Sequence, residues 1–229
     1  KKNNINFWEK TYYGKGVFPP KGSGLIEEQL LEERWTDLIS TIHGMGEITK
    51  KCIKVRDIES EFYFAGENLI LIEVGSLKYK TLMTGWLNHL YLSAFNSFTS
   101  KTIIIAKKKT LTKNNNYEIA KEILPISKQE AIKAIEELNE IASAGRYSCW
   151  PIPPESGLAY ALELKDKSDK MDNSFQKKWE GDLFSQGERE SLAMKLCFGK
   201  DCKSSTFLND QCFIEILMSL YKPLLEKIK

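Results

Sequence analysis

The sequence lacks the features that mark several common classes of protein. It has 229 residues and a formal net charge of +2, so neither sign of charge dominates, and a histone-like tail or a polyanionic chain is excluded. Its 14 glycines and 7 prolines are too few for a low-complexity or collagen-like chain. Because 42% of the residues are hydrophobic, the chain can bury a sizeable core, as a globular protein does.

Long apolar runs are also lacking. Stretches such as residues 69–72 are strand-sized, whereas a helix that spans a bilayer needs about 20 apolar residues. Residues 1–10 carry lysines and asparagines where a secretory signal has an apolar segment. We therefore expect a cytoplasmic protein without a membrane partner. The first residue is Lys1 rather than Met, so we expect the chain to be part of a longer one.

Cysteine and histidine are scarce, which limits metal chemistry. The five cysteines are scattered, which is typical of reduced thiols in a cytosolic protein. Without a Cys-x-x-Cys pair, and with only His43 and His89 as further ligands, we expect no zinc site. The chain also lacks a Gly-x-Ser-x-Gly motif and a Gly-Lys-Ser/Thr phosphate loop, so common hydrolase and nucleotide-binding sites are not expected. We expect no cofactor.

What the sequence does contain is an alternation of helix and strand patterns. Residues 1–23 are rich in aromatic residues and glycine and include Pro19-Pro20, which is incompatible with a helix, so we predict an extended lead-in segment. Residues 24–229 are predicted to form a single domain. Its first helix begins at Gly24 and is predicted to bury an apolar stripe with helical spacing. The stripe consists of Leu25, Ile26, Leu30, Leu31, Trp35, Leu38, Ile39 and Ile42.

Strand patterns follow this helix. A helix pattern around Trp86 separates the third strand pattern from the fourth, which predicts a parallel crossover. Ser127 and Glu130 have the spacing of a capping box and predict the start of a later helix. The predicted fold class is α/β, with a mixed central sheet flanked by helices and a helical C-terminal portion. The predicted strands are residues 48–55, 61–65, 69–74, 102–106 and 117–123.

The first three strands raise the question of a metal-dependent nuclease. In such a core, one strand supplies an Asp and the next an acid-x-Lys triplet; the carboxylates hold Mg²⁺, and the lysine polarises the attacking water or steadies the phosphate. Here Gly75 follows two residues after Glu73, and Ile53 occupies the first-strand position. The triplet is broken, so we expect no catalytic residue and no bound metal.

A residual metal site is the alternative. In this hypothesis Lys78 substitutes for the missing lysine. The simpler interpretation is a solvated hairpin whose acids are balanced by Lys54 and Arg56, and we favour it because one acid and a displaced lysine lack the charge that holds Mg²⁺. The acids that could gather around the metal are Asp57, Glu59, Glu61 and Glu73.

Two groups of lysines are candidates for contacts with a phosphate backbone. One group alternates along the strand at residues 48–55, and the other surrounds the turn of the last predicted hairpin. Edge strands protected by lysines are equally consistent with the pattern. The candidate DNA-binding residues are Lys51, Lys54, Lys107, Lys108, Lys109 and Lys113.

Four blocks in collinear order resemble the C-terminal domain of RecC, the gamma subunit of bacterial exodeoxyribonuclease V (the RecBCD helicase–nuclease). The most specific of them contains Trp86-Leu87-Asn88-His89-Leu90 and Ala94, a Trp-Leu-x-His-Leu-x-x-x-Ala pattern. The others are short. The four blocks are residues 15–24, 85–94, 153–159 and 179–182.

The resemblance implies a PD-(D/E)XK nuclease-like core that has lost its active site and serves as a scaffold. It implies a non-catalytic domain that guides DNA and docks the beta subunit (RecB) and the alpha subunit (RecD). The parent complex is an ATP-dependent exodeoxyribonuclease and helicase that acts in double-strand-break processing and recombinational repair. The hairpin at residues 107–116 is the expected DNA-facing element. The alternatives are a residual Mg²⁺-dependent nuclease that uses Asp57, Glu73 and Lys78, and a docking domain without DNA contact.

Overall fold

The computed structural model describes residues 22–55, 58–112, 115–147, 152–182 and 185–229. Of the predicted lead-in segment, only Gly22 and Ser23 are described, and they belong to the first helix. The helix therefore begins two residues before the predicted boundary at Gly24. The predictions also concern residues outside the described part of the chain, namely Arg56, Asp57, Lys113, Cys149 and the side chain of Lys109.

A five-stranded mixed sheet lies at the centre of the fold. The five strands and the two helices among them are, in chain order, α1 (Gly22–His43), β1 (Ile48–Val55), β2 (Ile58–Ala65), β3 (Asn68–Ile72), α2 (Tyr79–Phe95), β4 (Thr102–Thr112) and β5 (Asn115–Ile123). The strands lie in the order of the chain. Strands β3 and β4 pair in parallel, whereas the other neighbours pair antiparallel. The predicted α/β class, mixed sheet and parallel crossover are confirmed.

Helices make up most of the chain after the sheet. They are α3 (Lys128–Ala144), α4 (Pro154–Lys165), α5 (Met171–Glu180), α6 (Leu192–Phe198), α7 (Ser204–Leu208) and α8 (Gln211–Lys227), with a short hairpin of β6 (Gly181–Asp182) and β7 (Ser185–Gln186) after α5. The predicted capping box of α3 is confirmed, because Ser127 Oγ accepts from the Glu130 N–H at 3.3 Å and Glu130 Oε2 accepts from the Ser127 N–H at 2.9 Å.

One face of the sheet is covered by α2 and the later helices. Trp86 and Leu90 of α2 are fully buried, as are Ile104 and Ile123 of the sheet. All four belong to one apolar cluster that extends to Tyr221 of α8. This cluster is the main core of the described protein.

The other face is covered only in part, by the second half of α1. Leu38 and Ile42 pack over the sheet, but Ile26 is 60% and Trp35 57% exposed. The prediction that the whole apolar stripe is buried is therefore wrong for these residues and for Leu25 and Leu30, which are also exposed. The physical reason is the length of the helix, because the 22 residues of α1 span about 33 Å. Its first half therefore lies beyond the sheet residues that contact its second half.

The end of the chain pairs with the edge strand β5. The Glu122 N–H donates to the Lys229 carbonyl at 3.1 Å, the Lys229 N–H donates to the Glu122 carbonyl at 2.8 Å, and the Leu124 N–H donates to the Lys227 carbonyl at 2.7 Å. These bonds satisfy backbone groups that an edge strand otherwise leaves unpaired. They also join the C-terminal helices to the sheet.

Membrane-spanning helices and cysteine pairing can be examined in the described residues. None of the helices in this part of the chain is both long enough and apolar enough to cross a membrane. Among the described cysteines, Cys52, Cys197, Cys202 and Cys212 are free thiols.

Candidate functional site

Glu73, the acid of the triplet that the sequence predicts to be broken, lies directly after β3 and faces the start of α2. Its Oε2 accepts a hydrogen bond from Thr81 Oγ1 at 2.5 Å. Its Oε1 accepts from the Gly75 N–H at 3.4 Å and lies 3.6 Å from Lys78 Nζ. The Thr81 hydroxyl, together with Gly75 and Lys78, lowers the pKa of the Glu73 carboxyl. Both oxygens of this carboxylate are thus occupied by groups of the protein itself.

Gly75 lies two residues after Glu73, where the predicted acid-x-Lys triplet would place its lysine. Its carbonyl accepts from the Lys107 N–H at 2.9 Å, and the Glu73 N–H donates to the Ile105 carbonyl at 2.8 Å. The chain therefore continues alongside β4 beyond the end of β3. A Cβ on Gly75 would meet Glu73 Oε1 at 3.8 Å, which is an ordinary contact, so packing does not require glycine here.

The acids of β2 lie on the other side of the sheet from Glu73. Glu59 and Glu61 share a face of the strand with Ala65, which packs in the cluster under α1. Glu61 forms an ion pair with Lys50 at 2.7 Å. The three described acids of the residual metal site are therefore not brought together.

The first-strand position is apolar in the structure as in the sequence. Ile53 is half-buried and packs against the cluster of Phe62, Phe64 and Leu69. Asp57, the remaining candidate acid, lies outside the described residues. In the part of the chain that is described, no group of three or more His, Cys, Asp or Glu side chains could hold a metal ion.

The described candidate lysines lie on two separate strands. Lys51 and Lys54 belong to β1, and Lys107 and Lys108 belong to β4, with β2 and β3 between them. Since neighbouring strands are about 4.8 Å apart, the two groups are separated by about 14 Å. Lys51 and Lys54 also face opposite sides of the sheet, and Lys51 Nζ lies 4.8 Å from the centre of the Phe64 ring. These lysines do not form one continuous patch.

The hairpin of β4 and β5 extends beyond the neighbouring strand. Strand β4 has 11 residues and β3 has five. The register of β4 against β5 shifts after Lys107, and the next pair is Thr112 with Asn115. Asp37 of α1 accepts hydrogen bonds from the N–H and Nδ2 of Asn116 at 3.3 and 2.7 Å. The hairpin is thus fastened to α1 near its tip.

The block at residues 85–94 forms part of the buried helix α2. His89 is fully buried, and its Nδ1 lies 2.8 Å from Thr102 Oγ1. Burial lowers the pKa of His89 to about 4, so the imidazole is neutral at physiological pH. A Cβ on Gly85 would lie 3.0 Å from Ile104 Cδ1. Most residues of this block therefore serve packing in the described structure, whereas Leu87 is exposed.

The block at residues 153–159 depends on a residue that the sequence does not single out. The Glu188 carboxylate accepts from the N–H groups of Glu155 and Ser156 at 2.9 and 2.8 Å, and from Ser156 Oγ at 2.7 Å. It therefore caps the first turn of α4, where N–H groups lack helical partners and the helix dipole favours a negative charge. No local spacing links Glu188 to this helix, so the cap has no signal in the sequence pattern.

Comparison with known proteins gives a family match. A family model described as the RecC C-terminal domain matches residues 8–165 of the chain. The match contains α1 to α4, with Glu73, Gly75 and the hairpin of β4 and β5. The block at residues 179–182, which contributed to the resemblance, lies outside it. No curated protein sequence matches the chain.

Proposed function

Because the chain belongs to the RecC C-terminal domain family, we propose that it is a non-catalytic DNA-channel and subunit-docking domain of exodeoxyribonuclease V. Membership of the family relates the chain to the RecBCD helicase–nuclease. In the proposal, its partners are the beta subunit (RecB), the alpha subunit (RecD) and DNA. It acts in the bacterial cytoplasm, in double-strand-break processing and recombinational repair.

We propose that the core is a PD-(D/E)XK nuclease fold without an intact active site. The order of α1, three antiparallel strands, α2 and a parallel β4 supports this proposal, and so does the acid at the end of β3. The observation that carries it is the state of Glu73. Its carboxylate accepts a hydrogen bond from Thr81 and lies beside Lys78. Gly75 stands where the acid-x-Lys triplet would have its lysine.

A metal ion would have to displace these internal partners. Mg²⁺ is bound through one or two carboxylates together with substrate phosphates and water. Glu73 is the acid that the structure describes at this end of β3. The Lys78 ammonium already supplies a positive charge, and its Nζ lies 3.6 Å from Glu73 Oε1. The arrangement favours a neutralised, structural carboxylate over a metal ligand.

The test of this proposal is a cleavage assay on the assembled complex with the nuclease site of the beta subunit inactivated. We expect no Mg²⁺- or Mn²⁺-dependent cleavage, and no change with Glu73→Ala or with the control Glu118→Ala at an exposed position of β5. Cleavage that Glu73→Ala abolishes and Glu118→Ala leaves intact would establish the alternative, a residual nuclease that uses Asp57, Glu73 and Lys78.

The DNA contact is proposed to involve Lys107, Lys108, Lys109 and Lys113 on the hairpin, with Lys51 and Lys54 as a second group. Reversing the charge of Lys107, Lys108 and Lys109 should weaken DNA binding by the complex. It should also reduce the salt dependence, since each phosphate contact contributes about 0.9 to the slope of log K against log salt. The control reverses the exposed Lys170, Lys178 and Lys200. If DNA processing is unchanged when Lys107, Lys108 and Lys109 are reversed, the result would support a docking domain without DNA contact.

We further propose that residues 24–229 belong to one domain, whose first helix extends back to Gly22. The apolar cluster that includes Ile104 of the sheet and Phe175 of α5 supports a single unit. Unfolding in urea should then be one transition, with the same midpoint by tryptophan fluorescence and by circular dichroism. Two separated transitions would instead indicate two domains.

A further inference from the structure

The hairpin of β4 and β5 is irregular where it carries its lysines. Lys107 pairs with Tyr117, but the next paired residue of β4 is Thr112. Four residues of β4, 108–111, therefore lie opposite one residue of β5, Asn116. Because a bulge bends and twists its strand, the ladder alone does not fix the direction of the backbone beyond Lys107.

Below the bulge, the body of the fold holds the hairpin. Tyr117 is buried and packs in the cluster under α1 that contains Ile42. Its hydroxyl donates a hydrogen bond to the Val74 carbonyl at 3.3 Å, and the Lys107 N–H donates to the Gly75 carbonyl at 2.9 Å. The base of the hairpin is therefore fixed independently of its tip.

At the bulge, Asp37 of α1 holds the single residue of β5 that lies opposite it. Asp37 Oδ2 accepts hydrogen bonds from the Asn116 N–H at 3.3 Å and from Asn116 Nδ2 at 2.7 Å. Asp37 is half-buried beside Leu38, which packs on the sheet, whereas the acids one turn earlier, Glu32 and Glu33, are exposed. The packed half of α1 therefore supplies a fixed anchor for the hairpin.

The negative charge of Asp37 does not favour DNA binding. The hairpin is proposed to contact DNA through lysines, and a carboxylate bonded to it repels a phosphate backbone. The two hydrogen bonds instead need one oxygen that accepts from both donors of Asn116, which a carboxylate or an amide oxygen provides. The geometry of the anchor therefore explains Asp37 better than its charge does.

We propose that Asp37 is a positioning residue for DNA binding: through Asn116 it sets the direction in which the hairpin presents Lys107 and Lys108. This role rests on the proposed DNA contact of the hairpin and names the residue that orients it. Asp37 itself does not contact DNA. An anchored hairpin binds more tightly than a free one, because less conformational entropy is lost on binding.

The first test separates the hydrogen bonds of Asp37 from its charge. Asp37→Ala and Asp37→Asn both remove the negative charge, but the asparagine keeps an oxygen that accepts from Asn116. In the assembled complex with the nuclease site of the beta subunit inactivated, Asp37→Ala should raise the dissociation constant for a DNA duplex about fivefold or more. Asp37→Asn should bind at least as tightly as the wild type. Equal affinities of the two variants would overturn the positioning role.

The salt dependence of binding is a readout that a loss of stability does not change. Each phosphate contact contributes about 0.9 to the slope of log K against log salt, so a hairpin turned away from DNA in Asp37→Ala should give a smaller slope. The matched control, Tyr117→Phe, removes a hydrogen bond at the base of the same hairpin and should leave affinity and slope unchanged. An unchanged slope in Asp37→Ala, or an equal decrease in Tyr117→Phe, would contradict the role of Asp37.

Hydrogen exchange in the same complex tests the anchor itself. The Asn116 N–H should exchange faster in Asp37→Ala than in the wild type, because its acceptor is lost, and Asp37→Asn should keep the slow exchange. Equal exchange in the wild type and Asp37→Ala would show that Asp37 does not hold the hairpin, and the positioning role would fail.

Charge reversal of the lysines distinguishes this role from the proposed function. If reversal at Lys107, Lys108 and Lys109 weakens DNA binding whereas Asp37→Ala does not, the hairpin contacts DNA and only the role of Asp37 is overturned. If neither change weakens binding, the proposed DNA contact is overturned together with the positioning role. Weaker binding in both cases, with rescue by Asp37→Asn, is the expected result.

Discussion

The two faces of the central sheet differ in how far they are covered. On the α2 face, Ile104 and Trp86 are 0% exposed. On the α1 face, cover ends near Leu38, and Ile72 and Val74 are 42% and 70% exposed. The covered face carries the larger buried apolar cluster, whereas the α1 face leaves large apolar side chains of the described residues exposed.

The comparison also bears on how sequence resemblance is interpreted. The most specific block, residues 85–94, lies on the covered face, where Trp86 and His89 are buried. Its residue pattern is therefore explained by packing against the sheet. The hairpin, which is proposed to contact DNA, carries a less specific pattern because exposed positions tolerate more side chains.

The largest expected contrast is between two tryptophans. Trp86→Ala empties a fully buried site and should lower the free energy of unfolding by about 3–5 kcal/mol. Trp35→Ala, at an exposed position of α1, should cost less than about 1 kcal/mol. Urea denaturation of both variants measures the difference. Similar losses would show that the exposed half of α1 is part of the core.

The next contrast is between two histidines and concerns pH. The pKa of His89 is lowered by burial to about 4, so between about pH 6.5 and 4 the unfolded chain binds a proton that the native protein does not. The His89 contribution is fully present above about pH 6.5 and should fall by about 3 kcal/mol as pH decreases to 4.

His89→Gln should remove this part of the pH dependence, whereas His43→Gln, at the exposed end of α1, should retain it. Unfolding measured between about pH 6.5 and 5 isolates the effect, since carboxyls with a lowered pKa titrate below that range. A pH profile that His89→Gln leaves unchanged would contradict the buried neutral imidazole.

A smaller effect is expected from the cap of α4. Glu188→Ala removes the acceptor for the N–H groups of Glu155 and Ser156 and should cost about 1–2 kcal/mol. Glu155→Ala, in the same turn but exposed, should cost less than about 0.5 kcal/mol. Thermal unfolding of the two variants distinguishes them, and an equal shift in Tm would refute the long-range cap.

The smallest contrast uses the same chemical change on the two faces. Ile104→Val removes one buried methylene from the α2 face and should cost about 1 kcal/mol. Ile72→Val on the open face should cost less than about 0.5 kcal/mol. If a partner subunit covers the open face, Ile72→Val should lower the affinity of the complex more than the stability of the chain.

Local patterns allowed much of the fold to be predicted from the sequence. The alternation of strands and helices predicted the mixed sheet and its crossover, and the spacing of Ser127 and Glu130 predicted the α3 cap. The broken triplet at Glu73 and Gly75 depends on two residues of one segment, and it stays a prediction.

What could not be predicted depends on contacts between distant segments. The apolar stripe of α1 has the same spacing in its exposed and buried halves, so it does not show where the helix leaves the sheet. Glu188 lies 33 residues after Glu155, the first residue of this helix that it contacts. The hydrogen bond between Glu73 and Thr81 depends on how α2 is oriented relative to β3, and the sequence pattern does not predict this orientation.

The hydrogen bonds from Asn116 to Asp37 have a mechanical consequence. They link the projecting hairpin to α1 at the junction of its buried and exposed halves. In the proposed complex, a pull on the hairpin by a moving DNA strand would be transmitted through these hydrogen bonds to the last two turns of α1, which pack on the sheet.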